Sequence, residues 1–152
     1  MAARRRRTTT ILRAPVPPYY RQLLDTAKRY MEQGEHSVAV IVAQTACELV
    51  TEFAFETLIR PHGLTRKERE QLLPRNYDLN NKRVNALYVV LSKDKIKARS
   101  FWEGYTTHAN LRHAIVHKGE QATAQQAKAS LSAATTLITH VEALTVAPAN
   151  AS

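Results

Sequence analysis

Residues 39–59 have the sequence AVIVAQTACELVTEFAFETLI, and this stretch decides the fold of the chain. Apolar side chains recur in it at mixed three- and four-residue spacings, so they cover nearly every side of a helix drawn through it. A helix that is apolar on most sides is buried on most sides. We therefore predict a helix over residues 35–59 at the centre of a helical domain, ended by Pro61 and Gly63.

The segments on either side of this central helix also carry helical signals. Apolar stripes recur along them at helical spacing, Gly34 and Gly119 are stop signals, and Thr65 with Glu68 forms a capping-box pattern. The sequence shows no strand-like alternation and holds only 4 glycines and 6 prolines. The further predicted helices cover residues 18–33, 80–92, 95–118 and 121–145, with a short helix after Thr65.

Together these segments predict an all-α fold, an antiparallel helical bundle of about four to six helices over residues 18–146. Residues 1–17 contain five arginines, no acidic residue and a proline-rich end, which predicts a disordered basic arm. The small and polar residues 147–152 are predicted to form a disordered tail. The length of 152 residues suits a single domain with one core.

The net charge of the chain points to the chemistry of a partner. Lys and Arg number 22 against 13 Asp and Glu, which gives a formal charge of +9. The basic arm supplies much of this charge, and even without the arm the chain is basic, as suits a polyanionic partner. The arm is either a solubilising tail or a segment that attracts RNA without choosing a sequence. Its arginine run consists of Arg4, Arg5, Arg6 and Arg7.

Cysteine usage and hydropathy bear on the compartment. The only cysteine, Cys47, leaves no intrachain disulfide and fits a reducing compartment, where it is predicted to be a small core residue. No apolar stretch follows the arginine run, so we expect no signal peptide. The longest apolar run, residues 38–50, contains Gln44 and Glu48, and we expect it to be too short and too polar to span a membrane. These features predict a cytoplasmic protein.

A second stretch, NLRHAIVHKGE at residues 110–120, places a charge where a helix should be apolar. At about 100° per residue, Arg112 projects onto the apolar side of this helix. An unpaired charge is costly there, so Arg112 requires an acidic partner, a subunit interface or an anion. Glu48 and Glu52, one turn apart on the central helix, are the predicted intrachain partners; the alternative is that they form a solvated or otherwise paired stripe.

The same stretch places two histidines on a polar face. His113 and His117 are four residues apart, Asn110 precedes them by one turn, and the long side chain of Arg112 can reach this face. Imidazoles suit proton transfer near neutral pH, and a guanidinium group can hold phosphate through paired hydrogen bonds. Phosphodiester cleavage requires both. The histidine pair also has zinc spacing, but a third ligand is wanting, so we predict no metal and no cofactor.

The stretch from Arg112 to His117 resembles the R-x4-H motif of HEPN proteins, the higher eukaryotes and prokaryotes nucleotide-binding family. In this chain, as in that family, the motif lies near the end of a late helix in a small helical bundle. A polar residue, His113, follows the arginine, and an Ala-rich helix with an internal acid lies upstream at residues 39–59. The resemblance covers roughly residues 18–145.

Many HEPN proteins are metal-independent endoribonucleases, and the resemblance implies that activity here. It implies a homodimer in which two motifs meet in one cleft, with His117 as general acid or base and Arg112 on the scissile phosphate. Asn110 and His113 would assist by hydrogen bonding. Attack by a ribose 2′-hydroxyl restricts the substrate to RNA, single-stranded or looped, and gives 2′,3′-cyclic phosphate ends. A role in a toxin–antitoxin or anti-phage system, with an antitoxin or other protein partner, is likewise implied.

The family pattern is not matched throughout, and other function classes stay open. HEPN toxins paired with nucleotidyltransferase antitoxins have a tyrosine two residues after the histidine, where this chain has Gly119. One alternative is a catalytically inactive HEPN-like module that binds nucleotide or RNA, or serves as a scaffold. The other alternative is a purely structural bundle whose basic arm binds it to nucleic acid. We assign packing or surface roles to His36, His62, His108 and His140, and core or dimer packing to Trp102 and Tyr105.

Overall fold

The computed structural model describes residues 16–145, and within them it contains six α-helices and no β-strand. The predicted all-α helical bundle is therefore confirmed. The tail at 147–152 and the arginines Arg4, Arg5, Arg6 and Arg7 lie outside the described residues. The helices are α1 (Tyr19–Glu32), α2 (His36–Ile59), α3 (Arg66–Leu72), α4 (Lys82–Ser92), α5 (Trp102–Lys118) and α6 (Ala124–Thr145).

Helix α1 runs antiparallel to both α2 and α6. The ring of Tyr20, near the start of α1, lies 6.1 Å from that of Phe53, near the end of α2. Arg21 Nε donates a hydrogen bond of 2.8 Å to Glu142 Oε2, near the end of α6. Because only residues 33–35 connect them, α1 and α2 form a helical hairpin.

Helix α5 runs in the same direction as α1. Val40 near the start of α2, Ile115 near the end of α5 and Ala127 near the start of α6 form one buried cluster. Helix α5 is therefore antiparallel to α2 and α6, and these four long helices make the bundle. Helix α4 packs beside the C-terminal part of α2, where the Tyr88 ring lies 6.3 Å from that of Phe55.

Helix α2 is the centre of the bundle, as its sequence predicts. Eleven of its 24 residues are buried, and it contacts α1, α4, α5 and α6. By length and composition alone, the run His36–His62 could span a membrane, so the expectation that this region is too short and too polar was wrong. The apolar pattern continues beyond Glu48 to Ile59. In the bundle 56% of its most apolar window is buried, as in the core helix of a helical protein.

The helix ends follow the capping signals of the sequence. Thr65 Oγ1 accepts from the Glu68 amide while the Glu68 carboxylate accepts from the Thr65 amide, so the predicted capping box is confirmed. Asn81 caps α4 by accepting from two backbone amides with its side-chain oxygen. Gly119 ends α5 with a φ of 68°, a left-handed conformation that glycine adopts at little cost.

The predicted helix over residues 95–118 was wrong at its start, because α5 begins only at Trp102. The chain leaves α4 through Lys93, which has a φ of 62°, and then places Asp94 in the protein interior. A short 3-10 turn, Ile96–Ala98, inserts the fully buried Ile96 into the core. The spacing of this segment favours a helix, but the burial of these two side chains prevails over it.

Asp94 is the buried centre of an ionic group that we call the Asp94 cluster, formed with Tyr88, Arg99 and His140. Its Oδ2 accepts from the Tyr88 hydroxyl at 3.0 Å and lies 2.7 Å from His140 Nε2, and its Oδ1 accepts from the Arg99 guanidinium at 2.9 Å. Burial raises the pKa of Asp94, but the hydrogen bonds from its three partners outweigh burial and hold that pKa below its usual value. The cluster ties the α4–α5 connection to α6.

Candidate functional site

The C-terminal half of α5 presents the four residues of the predicted motif in different environments. Asn110, His113 and His117 are exposed, whereas Arg112 is partly buried. We call these four residues the motif residues. The division agrees with the predicted helical wheel, in which Arg112 lies on the inner side of the helix and the other three on a polar face.

The two histidines of the motif contact each other at the surface. The ring centroids of His113 and His117 are 4.4 Å apart, with an angle of 42° between the planes. Within residues 16–145, no group of three His, Cys, Asp or Glu side chains is placed to hold a metal ion. The two imidazoles lie side by side with access to solvent, and imidazoles in such a position can exchange protons with a bound ligand.

Arg112 and Glu48 face each other without forming an ion pair. The positive charge of Arg112 lies close enough to act on the Glu48 carboxyl, which also accepts from Gln44 Nε2 at 3.3 Å. Burial nevertheless raises the pKa of Glu48, since it outweighs the opposing effects of Gln44 and Arg112. Arg112 makes no salt bridge with any described residue, and its buried Nε has no hydrogen-bond partner among them.

The predicted ion pair of Arg112 with Glu48 or Glu52 is absent from the described residues. Glu52 is exposed, and it lies one turn further along α2, where its charge acts on the Tyr77 hydroxyl. It lines a surface cavity of about 280 Å³ together with Arg75 and Tyr77. Glu48 lines the same cavity, and it is the carboxyl of Glu48 on which the positive charge of Arg112 acts.

A chain of hydrogen bonds beneath the motif residues joins α2 to α5 through the segment before α4. Gln44 Nε2 donates to the Tyr105 hydroxyl at 3.4 Å, and this hydroxyl donates to Asp78 Oδ1 at 2.8 Å. The same Asp78 oxygen accepts from the Asn80 amide at 2.9 Å, and Asn80 Nδ2 donates to Asn110 Oδ1 at 3.4 Å. The chain thus returns to the motif face, so it fixes the segment at 76–81 against α5.

His108 lies one helical turn before Arg112 and is buried with both ring nitrogens unpartnered among the described residues. Burial lowers its pKa to about 4, and the nearby charge of Asp78 only partly opposes this effect. The ring is therefore neutral at physiological pH. Its predicted packing role is confirmed, but two ring nitrogens without partners make it an unusual core residue.

The remaining aromatic residues and histidines serve the packing of the bundle. Tyr105 is 1% exposed, and Trp102 packs against the core with its ring 5.3 Å from that of Tyr105. Core packing is thus the role of both rings, as predicted. Cys47 is fully buried, where burial raises the pKa of its thiol well above the usual value. His140 has more than a surface role, because it belongs to the Asp94 cluster.

Three of the residues that connect the motif to the core were not predicted from the sequence to do so, namely Gln44, Asp78 and Asn80. The sequence does contain a signal for Gln44, because a polar residue inside an otherwise apolar helix needs a hydrogen-bond partner. Asp78 and Asn80 lie in the Asn- and Asp-rich segment, whose composition predicts only a loop. Their role depends on which helix this loop contacts, which the sequence pattern does not contain.

Comparison of the chain with family models, with curated proteins and with solved structures finds no match.

Proposed function

We propose that this chain is a HEPN-type endoribonuclease that cuts single-stranded or looped RNA without a metal ion and acts in the cytoplasm. The observation that carries the proposal is the state of Arg112, which is partly buried, lies near Glu48, and forms no ion pair with any described residue. A guanidinium group positioned in this way remains available for a phosphate. The exposed pair of His113 and His117 supplies imidazoles on the same helix end.

The reaction follows from these groups. A base accepts the proton of the ribose 2′-hydroxyl, whose oxygen forms a bond to the phosphorus. The bond from phosphorus to the 5′-oxygen then breaks, and an acid donates a proton to this leaving oxygen. His117 provides this acid–base chemistry, while Arg112 balances the charge that develops on the phosphate. The products carry a 2′,3′-cyclic phosphate and a 5′-hydroxyl.

The proposal includes a homodimer in which two motifs face each other. A base and an acid must act on opposite sides of the phosphorus, and two copies of His117 can take these two roles. The neighbouring Val116 is 45% exposed, and Leu111 is only partly buried, so the motif helix offers apolar surface beside its histidines. A subunit contact on this surface would cover it and bring the motifs together.

Incubation of the purified protein with total RNA, comparing the wild type with His117→Ala, tests this proposal. We expect the wild type to cut RNA in the presence of EDTA, and we expect His117→Ala to lower the rate by about 10²–10⁴-fold, the usual contribution of acid–base catalysis. His62→Ala is the matched control. His62 is exposed and follows the far end of α2, so its loss should leave the rate unchanged.

Two further readouts decide between mechanisms. A substrate with a single 2′-deoxyribose at the cleavage position should resist the enzyme, and the products should carry cyclic phosphate ends. If the wild type leaves structured and unstructured RNAs intact, or if His117→Ala cuts at the wild-type rate, the nuclease assignment is wrong. Binding of RNA without cleavage would instead identify a catalytically inactive binding module.

A further inference from the structure

A cavity of about 530 Å³ lies between the end of α3 and the start of α4, apart from the motif residues. Its polar lining includes Arg75, Asn76, Asn81 and Arg83, and it contains no carboxylate. Neither arginine forms a salt bridge with any residue between 16 and 145. The lining of this cavity therefore carries two positive charges and no negative one.

The neighbouring cavity differs from the first in its lining, which includes Glu56 and Glu70. It has about 350 Å³ and shares Arg75 with the first, but its other two arginines are paired with acids. Arg66 Nε contacts Glu70 at 2.8 Å, and Arg69 contacts Glu56 at 3.7 Å. An anion entering this second cavity would meet carboxylates as well as guanidinium groups, whereas the cavity at α4 presents guanidinium groups alone.

The two asparagines of the α4 cavity are oriented by the local backbone. Asn81 Oδ1 accepts from the amides of Arg83 and Val84 at the start of α4, and Asn76 Oδ1 accepts from the amide of Asp78. Each amide oxygen is thus already engaged, while neither Nδ2 donates to a described residue. These side chains consequently offer hydrogen-bond donors to a ligand, and donors complement an anion.

An apolar side completes the cavity. Val84 is buried, and Leu73 and Leu87 are half-buried, and all three line the same space as the arginines. A volume of this size holds a small molecule that has both a charged and an apolar, planar part. We propose that the α4 cavity binds one nucleotide unit, with Arg75 and Arg83 on its phosphate and the base against the apolar side.

This nucleotide unit can come from an RNA strand or from a free nucleotide. Asn80 precedes the capping Asn81 and donates to Asn110 on the motif face, so the cavity and the motif are joined by one hydrogen-bonded segment. The start of α4, which lines the cavity, therefore lies next to Asn110 in the structure. A nucleotide site here would exist in a nuclease and in a binding module alike.

Calorimetric titration of adenosine monophosphate and of a six-nucleotide RNA tests the site. We choose His117→Ala protein for both, because this background keeps the RNA intact and makes the result independent of the nuclease proposal. The informative variant is Asn81→Asp, which retains an oxygen to cap α4 but replaces the amide donor by a negative charge. Arg75→Gln with Arg83→Gln removes both cations, and Arg60→Gln with Lys67→Gln removes the same charge from exposed positions outside the cavity.

We expect Asn81→Asp and the Arg75/Arg83 double variant each to weaken binding at least tenfold, with thermal unfolding unchanged, and the control pair to weaken it far less. Loss for both ligands identifies a site for free nucleotides, and loss for the RNA alone identifies a site for a residue of a strand. Either result supports the proposal. Wild-type-like binding in both cavity variants, an equal loss in the control pair, or no binding of either ligand to the parent protein would overturn it.

Discussion

The Asp94 cluster and the surroundings of Arg112 both place polar groups inside a small helical bundle, and they differ in how these groups are satisfied. Asp94 accepts hydrogen bonds from Tyr88 and Arg99 and contacts His140, so its charge is fully engaged. Near the motif, by contrast, Arg112 Nε, Gln44 Oε1 and both nitrogens of His108 are buried without a partner among the described residues.

The Asp94 cluster therefore stabilises the fold, whereas the unpartnered groups near Arg112 do not. A buried polar group that lacks a hydrogen bond lowers the stability of a protein by about 1–3 kcal/mol, whereas one with its partners does not. The Asp94 cluster therefore has a sufficient explanation in folding. The unpartnered groups beside α5 have none, and a phosphate bound at Arg112 would supply one of the missing partners.

The largest effect on stability is expected from Asp94→Ala. This change removes the hydrogen bonds that Tyr88, Arg99 and His140 make to a buried carboxylate. Each such bond is worth about 1.5–3 kcal/mol, least for the half-exposed Arg99, so the free energy of unfolding should fall by about 3–5 kcal/mol. Urea denaturation at pH 7 measures the change. A loss below about 1 kcal/mol would remove the contrast between the two regions. RNA cleavage per folded molecule should be unaffected, because the cluster contacts none of the motif residues.

A pH-dependent effect is expected from His108→Leu. The folded-state pKa of His108, about 4, is below the usual 6.5, so as the pH falls through this window the unfolded chain takes up a proton that the folded chain does not. The wild type should thus lose up to about 3 kcal/mol between pH 6.5 and 4, and His108→Leu should lack this part of the loss. Equal slopes of stability against pH in the two proteins would contradict the burial of a neutral ring.

The smallest effect is expected from Gln44→Met. The side chain of Gln44 makes two long hydrogen bonds of 3.3 and 3.4 Å, and its buried oxygen makes none among the described residues. Replacing it by an apolar side chain of similar size should change the free energy of unfolding by less than about 1 kcal/mol. Thermal denaturation gives the measurement. A loss as large as that of Asp94→Ala would show that the polar groups beneath α5 stabilise the fold after all.

The helices could be predicted because their signals are local. The apolar residues of α2, the capping box at Thr65 and the stop at Gly119 each act within a few residues, and all three were confirmed. The start of α5 could not be predicted in this way. The predicted helix begins at residue 95, but burial of Asp94 and Ile96 against the rest of the bundle prevails over local preference there.

The candidate site was predictable in its outer part only. The spacing of Arg112, His113 and His117 fixes which of them share a face, and the structure agrees with this pattern. It was not predictable which of Glu48 and Glu52 lies nearer to the charge of Arg112, since this depends on how two helices are placed along each other. The same holds for the hydrogen bonds below the motif, which involve three separate parts of the chain.

The most direct test of the central claim is a paired measurement on Arg112→Met, namely RNA cleavage and the free energy of unfolding of the same preparation. The unpartnered guanidinium predicts that cleavage falls by at least about 10²-fold while stability changes by less than about 1 kcal/mol or rises. The opposite result, a loss of several kcal/mol with cleavage per folded molecule retained, would show that Arg112 stabilises the bundle and does not serve a phosphate.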